Sequence, residues 1–226
     1  MTDQHSTAPL AGTAARAAYT PSLLLFALFY GGMVTLAGVL GAKQVTLGPL
    51  VVEAGIFPFL TLVGISSGIS ELHGKGIADR LVRYGFIPLV GAILMTLFVL
   101  QLPTDPGMYE PAKAAFPTIL GQSWRMMGAG IISYGTSVTL NVWIFDRLRT
   151  QGGPFAKVRG FLAAALSQIV DTLIFITISF YGVRPIMDIM VGQMIAKVVL
   201  SAIMVPAIIW FVVRQGSKLD AKSSAA

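Results

Sequence analysis

The sequence predicts an all-α integral membrane protein with six transmembrane helices and both termini in the cytoplasm. Three observations predict it. The 226 residues are 55% hydrophobic and only 12% charged, where soluble domains carry about 25% charged residues. The mean hydropathy is +0.77. Six apolar segments each approach the roughly 20 residues that a helix needs to cross a bilayer.

The segments are Ser22–Ala42, Leu50–Ser70, Tyr84–Leu102, Met126–Phe145, Gly160–Tyr181 and Ile189–Val213. Their glycines and prolines are tolerated in membrane helices, where neighbours satisfy the freed backbone groups. Residues 1–20 are polar and lack the positive start and short apolar stretch of a signal peptide, so they are expected to be a disordered cytoplasmic tail. The transmembrane domain is assigned to residues 21–214, and residues 215–226 to a second disordered tail.

Loop charges set the orientation. Lys75, Arg80 and Arg83 follow the second segment, and Arg147, Arg149, Lys157 and Arg159 follow the fourth. Arg214, Lys218 and Lys222 follow the sixth, while the opposite loops hold only Lys43, Lys113 and Arg184. The excess of Lys and Arg on one side places those loops in the cytoplasm. The location expected is a bacterial inner membrane, with the lipid bilayer as solvent. The outer loop Pro103–Gln122 fits either a lid over an external pocket or a solvated connector.

Composition excludes several chemistries. The chain has no cysteine, which removes disulfides, thiolate metal sites and cysteine nucleophiles. Its two histidines, His5 and His73, lie outside the apolar segments, so no metal or histidine-based triad is expected within the membrane. The net charge of +6 is spread over helix ends rather than gathered in a stripe, so no nucleic-acid partner is expected. There is no G-x-x-x-x-G-K-[S/T] phosphate loop. The protein is therefore read as no enzyme, without a cofactor. A Tyr134-Gly135-Thr136-Ser137 stretch has no histidine in any span to serve as base for a serine nucleophile.

Polar residues inside the spans carry the functional expectation. Asp171 is the only charge between Arg159 and Arg184. A carboxylate at bilayer depth costs about 2.5–3.5 kcal/mol on insertion scales. It fits a substrate or coupling role, or an interhelical hydrogen bond. Gln168 lies three residues before it on the same face. Tyr134, Ser137 and Asn141 form a polar stripe on the fourth span. Two such stripes suggest a lined cavity, although interhelical hydrogen bonding is an alternative reading. Lys197, about 12 Å into the last span, is placed to pair with Asp171 or to snorkel outward. Trp124 and Arg125 start the fourth span, either as interfacial anchors or as part of an outer mouth. Glu71 ends the second span, and Arg159 precedes the fifth. Ala27 with Gly31, and Gly38 with Ala42, have the four-residue spacing that lets helices approach closely.

Four stretches resemble a known family: Leu40-Gly41-Ala42-Lys43-Gln44-Val45-Thr46-Leu47-Gly48-Pro49-Leu50; Phe57-Pro58-Phe59 with Glu71-Leu72-His73-Gly74-Lys75; Arg125 with Val142-Trp143-Ile144-Phe145-Asp146-Arg147-Leu148; and Ser167-Gln168-Ile169-Val170-Asp171-Thr172-Leu173-Ile174-Phe175 with Phe180-Tyr181-Gly182. They are similar to queuosine-precursor transporters, also called the vitamin uptake transporter family, across about residues 35–210. Lys197 falls where that family has a lysine in its last helix. The resemblance implies a six-helix bundle similar to the substrate-binding subunits of energy-coupling-factor transporters. It also implies import of 7-cyano-7-deazaguanine or 7-aminomethyl-7-deazaguanine. The substrate-binding set it suggests is Asp171, Gln168, Asn141, Tyr134, Trp124, Arg125 and Lys197, with Trp143 as a further stacking face. Glu71 and Arg159 are placed at an inner gate. The chain departs from the family at Gly38 and Ser67, where Asn and Asp are usual, and at Val138 and Asn141, where Gln and Asp are usual. A related purine-like or vitamin-like solute therefore also fits. Energising partner subunits or a homo-oligomer are further expectations. The alternative function is a binding subunit that docks on a separate ATP-driven module.

Overall fold

A computed structural model describes residues 20–121, 124–150, 156–182 and 186–224. Seven helices occur among these residues: α1 Pro21–Leu40, α2 Ile56–His73, α3 Lys75–Leu100, α4 Glu110–Leu120, α5 Trp124–Thr150, α6 Ala156–Phe180 and α7 Met187–Ser224. A two-stranded antiparallel hairpin, β1 Gln44–Leu47 and β2 Leu50–Glu53, joins α1 to α2. Residues 1–19, which hold the expected N-terminal tail, lie outside the described residues.

Five helices are long and apolar enough to cross a membrane: α1, α2, α3, α6 and α7. At 27 residues α5 spans about 40 Å, but Ser133, Ser137 and Asn141 make it less apolar than its neighbours. The all-helical membrane class therefore holds, with the hairpin as an insertion.

The bundle is organised around α2. Its residues from Leu60 to Ser70 are buried except for Thr61. One core cluster joins α2 to α1, α3 and α5 through Tyr30, Ile65, Val82 and Val138. A second joins it to α6 and α7 through Leu60, Ala163, Val205 and Ile209. Helix α1 buries only the stripe Ser22, Phe26, Tyr30 and Val34, one residue per turn. Leu24, Leu25, Leu28, Phe29, Leu36 and Leu40 face outward, as apolar side chains against lipid do.

Several boundaries differ from expectation. The second span begins at Ile56 rather than Leu50, because Leu50–Glu53 pair with Gln44–Leu47. Gly48, with φ 60°, opens the two-residue turn between the strands, a conformation that favours glycine at the first turn position. The hairpin base closes where Ala54 N–H donates to the Lys43 carbonyl at 2.7 Å. The expected loop Pro103–Gln122 contains α4. The expected disordered tail from residue 215 is instead helical to Ser224. It is anchored where Asp220 accepts hydrogen bonds from Ser22 N–H at 3.0 Å and Ser22 Oγ at 2.7 Å.

Close helix approach occurs away from the α1 pairs that the sequence suggested. A Cβ on Gly31 would meet Pro88 at an ordinary 3.7 Å, and one on Gly38 would meet nothing within 4 Å. On α2, by contrast, a Cβ at Gly64 would lie 2.6 Å from Ile208, and one at Gly68 would lie 2.6 Å from Val212. This four-residue glycine spacing seats α7 against the central helix.

The two ends of the bundle differ. One end gathers the start of α1, the α2–α3 turn and the extension of α7, and carries most of the described basic residues, Lys43 and Lys113 not among them. The other carries the hairpin and α4.

Candidate functional site

A cavity of about 200 Å³ lies in the hairpin half of the bundle. Its wall combines the C-terminal half of α1, the end of β2, the start of α2, and parts of α3, α5, α6 and α7. Ile119 and Leu120 from α4 also line it. The segment after α3 therefore contributes to the cavity wall.

Asp171 and Lys197 form the polar centre of this cavity. Asp171 is 5% exposed and Lys197 9%. Lys197 Nζ lies 2.9 Å from Asp171 Oδ2. Ser137 Oγ donates to Asp171 Oδ1 at 3.2 Å. Each carboxylate oxygen thus takes one donor from the protein, out of about four acceptor positions on the group. The ammonium also stands 6.0 Å from the Phe59 ring centroid, within reach of a cation–π attraction. The sequence expected this pairing or an outward-snorkelling lysine; the fold makes the pair.

Tyr134 lines the cavity from α5. Its hydroxyl donates to Tyr30 Oη at 2.6 Å, and its ring packs edge-on against Phe86 with centroids 5.2 Å apart. The tyrosine pair needs Gly85, since a Cβ there would lie 2.7 Å from Tyr30 and 2.8 Å from the Tyr134 hydroxyl.

Other expected residues fall elsewhere. Gln168 and Asn141 are buried outside the cavity lining. Asn141 donates to Ser67 Oγ at 3.0 Å, which connects two positions where the sequence departs from the family it resembles. Neither amide atom of Gln168 has a hydrogen-bond partner among the described residues. Asn141 lies one turn beyond Ser137 on α5, and Gln168 one turn before Asp171 on α6. The Ser137–Asp171 contact and the opposite directions of these helices put both amides at a level toward the basic end. Trp143 is 54% exposed and does not line the cavity. Trp124 and Arg125 begin α5, and their side chains lie outside the described residues. Arg159 Nη2 meets Glu71 Oε2 at 3.4 Å, joining α6 to α2 at the basic end.

Three wall residues escaped the sequence reading. Phe59 and Phe175 supply aromatic surface, and Glu53 supplies a second carboxylate. Glu53 accepts a hydrogen bond from Gln193 Nε2 at 3.3 Å. Its sequence signal was present: it is a charge inside the predicted second span.

A buried ion pair thus lies on the wall of a cavity within a bundle of long apolar helices. Residues 53–211 match the family described as "Putative vitamin uptake transporter". That match covers more than half of the chain, and the protein belongs to this family. The chain is also 26% identical over 171 residues to a "Probable queuosine precursor transporter" of Bacillus subtilis (strain 168), covering 73% of each protein. No solved structure matches the chain.

Proposed function

We propose that this protein is a bacterial inner-membrane importer of a 7-deazaguanine queuosine precursor, either the 7-cyano or the 7-aminomethyl compound. The observation that carries the reading is Asp171, held by Lys197 and Ser137 on the cavity wall. A carboxylate reads the adjacent ring N–H and amino group of a guanine-like edge through two parallel hydrogen bonds. The two acceptor positions left on Asp171 suit that edge. Lys197 has two further N–H donors, one of which suits the neighbouring ring carbonyl. Phe59 and Phe175 offer apolar faces for a flat bicyclic ring. The similarity to the probable queuosine precursor transporter of Bacillus subtilis supports this reading.

In this reading the chain crosses the membrane six times, with α5 as the fourth span beside the five more apolar helices. The basic end lies in the cytoplasm by the excess of Lys and Arg there. The cavity then opens toward the exterior, and Glu71–Arg159 belongs to the inner gate. Gln168 and Asn141 form a polar level on the route from the cavity toward that gate. Trp124 and Arg125 stand at the outer mouth.

The test is queuosine content of tRNA in a host that neither makes queuosine nor has its own precursor transporter. The wild-type chain restores modification when either deazaguanine is supplied at low concentration. Asp171→Ala, at equal membrane level, does not. Absence of modification with well-inserted wild-type protein sinks the assignment.

A further inference from the structure

Beside the Asp171–Lys197 pair, toward the basic end, lies a set of polar atoms that the surrounding side chains do not satisfy. Asn141, Gln168, Thr172 and Ser201 all have 0% exposure. Asn141 Oδ1, both amide atoms of Gln168, Thr172 Oγ1 and Ser201 Oγ have no hydrogen-bond partner among the described residues. Other buried hydroxyls nearby donate back to their own helix: Ser66 to Val63, Ser133 to Gly130 and Ser167 to Ala164. Thr172 and Ser201 make no such bond. The Asn141 amide is oriented by its donor arm, since Nδ2 meets the Val63 carbonyl and the Ser67 hydroxyl of α2 at 3.4 and 3.0 Å. Oδ1 is the arm left over.

Contacts above and below put these residues in register. Asp171 meets Ser137 of α5 and Lys197 of α7. Further back along α6, a Cβ on Gly160 would meet Phe145 of α5 at 3.6 Å and Ile209 of α7 at 2.4 Å. Between these two rungs, Gln168 comes level with the stretch of α5 that holds Asn141 and the stretch of α7 that holds Ser201. Thr172 is one turn from Gln168 on the same face, and helix side chains lean toward the N-terminus, which carries its hydroxyl toward Gln168.

We infer that Asn141, Gln168, Thr172 and Ser201 bind a sodium ion whose gradient drives uptake. Four of the five unpartnered atoms are oxygens, the ligands that hard cations take. Gln168 Nε2 is a donor and stays outside that set. Neutral amide and hydroxyl oxygens suit a single positive charge. Among the described residues no group of three His, Cys, Asp or Glu gathers to hold a divalent ion. The four side chains are closed to solvent, and their close packing suits sodium over the larger potassium. Buried acceptors without partners are costly inside a membrane bundle, and one bound cation offsets that cost at all four. The coupling role rests on the importer reading; the cation site does not. Thr172 follows Asp171 on α6, and Ser201 is one turn from Lys197 on α7. A cation held by both helices fixes the ion pair between them and so raises affinity for a solute bound at Asp171. The solute raises affinity for the cation by the same factor.

The test begins with thermal melting of the purified protein in detergent, with sodium chloride replaced stepwise by choline chloride at constant ionic strength. Sodium should raise the melting temperature saturably by a few degrees, and potassium should not. Thr172→Val and Ser201→Ala each remove one oxygen with little change in volume. Each should raise the half-effective sodium concentration about tenfold. In choline they should melt no lower than wild type, because the lost hydroxyl has no partner there. Lower melting in choline with an intact sodium response would make these hydroxyls structural and overturn the inference. Thr172→Ser should keep the wild-type response. Equal melting of wild type in sodium, potassium and choline also overturns it and marks the level as one bridged by water. If Thr172→Val fails to insert, Ser201→Ala gives the comparison from the other helix. In the tRNA assay, replacing external sodium by choline should cut queuosine severalfold, and unchanged queuosine overturns the coupling. The melts need no solute. Their failure leaves the importer reading intact, and failure of wild type on both deazaguanines leaves the cation site supported by the melts.

Discussion

Lys197 Nζ lies 2.9 Å from Asp171 Oδ2, linking α7 to α6 through two side chains that are almost completely buried. Removing one member of a buried pair leaves the other uncompensated, at about 3–5 kcal/mol. Lys197→Met should therefore lower the melting temperature in detergent sharply. Adding Asp171→Asn should recover most of that stability without recovering uptake. A double variant as unstable as the single one would show that the pair is not the source of the loss.

The tyrosine pair gives a second prediction. Tyr134 donates to Tyr30 at 2.6 Å in space left open by Gly85. Tyr30→Phe removes the acceptor and strands a buried hydroxyl, which costs about 1–3 kcal/mol. Gly85→Ala should do at least as much harm, since its Cβ would press on both rings. The two substitutions meet at one place, so their effects should fall short of additive. Thermal melts of the two single variants and the double variant check this. Full additivity would separate Gly85 from the tyrosine contact.

The seat of α7 on α2 gives a third. Gly64→Ala would put a Cβ 2.6 Å from Ile208 Cγ2 and 2.7 Å from its Cβ, and overpacking of this kind costs about 1–3 kcal/mol. Ile208→Gly in the same chain removes both clashing atoms and should restore part of the loss. Failure of that rescue, measured by the fraction of monodisperse protein after heating, would place the strain elsewhere.

The features legible in the sequence are those with a strong physical signal. Apolar length marked the helices, and the cost of a carboxylate in lipid marked Asp171. The depth of Lys197 placed it within reach of that carboxylate. The hairpin was missed because Leu50-Val51-Val52 is apolar enough to extend the following helix, and short apolar runs do not separate strand from helix by periodicity. The β-branched Val45, Thr46, Val51 and Val52 around Gly48-Pro49 were the available turn-and-strand signal. Missing the hairpin concealed Glu53 as a cavity residue. Gln168 was expected on the cavity because it shares a helical face with Asp171. One turn of rise sufficed to carry it to another level. The helical tail was missed because its stabilising contact, Asp220 with Ser22, joins residues nearly the whole chain apart.

Membrane topology is tested by labelling introduced cysteines, since the native chain has none. Lys43→Cys and Lys113→Cys should react with an impermeant maleimide added to intact cells. Arg83→Cys and Lys218→Cys should react only in inverted vesicles. The opposite pattern would invert the bundle, and reaction of Lys113→Cys on the inner side would remove one crossing.

The basic end gives the last prediction. Two sets of contacts cross it: Arg159 with Glu71 at 3.4 Å, and Ser22 with both Asp220 and His73, at 2.7 and 2.9 Å. They connect α6 to α2, and α1 to α7 and the end of α2, around the route proposed for the solute. Ser67 is fully buried one turn inside Glu71, and Ser67→Cys changes little in volume. In that background, Glu71→Gln with Asp220→Asn should weaken both ties and speed maleimide reaction at residue 67 severalfold in inverted vesicles. Reaction from the outer face should slow or stay the same, because opening one side of an alternating-access site disfavours the other. Equal labelling rates with and without the two substitutions would show that these contacts brace the fold and do not gate it.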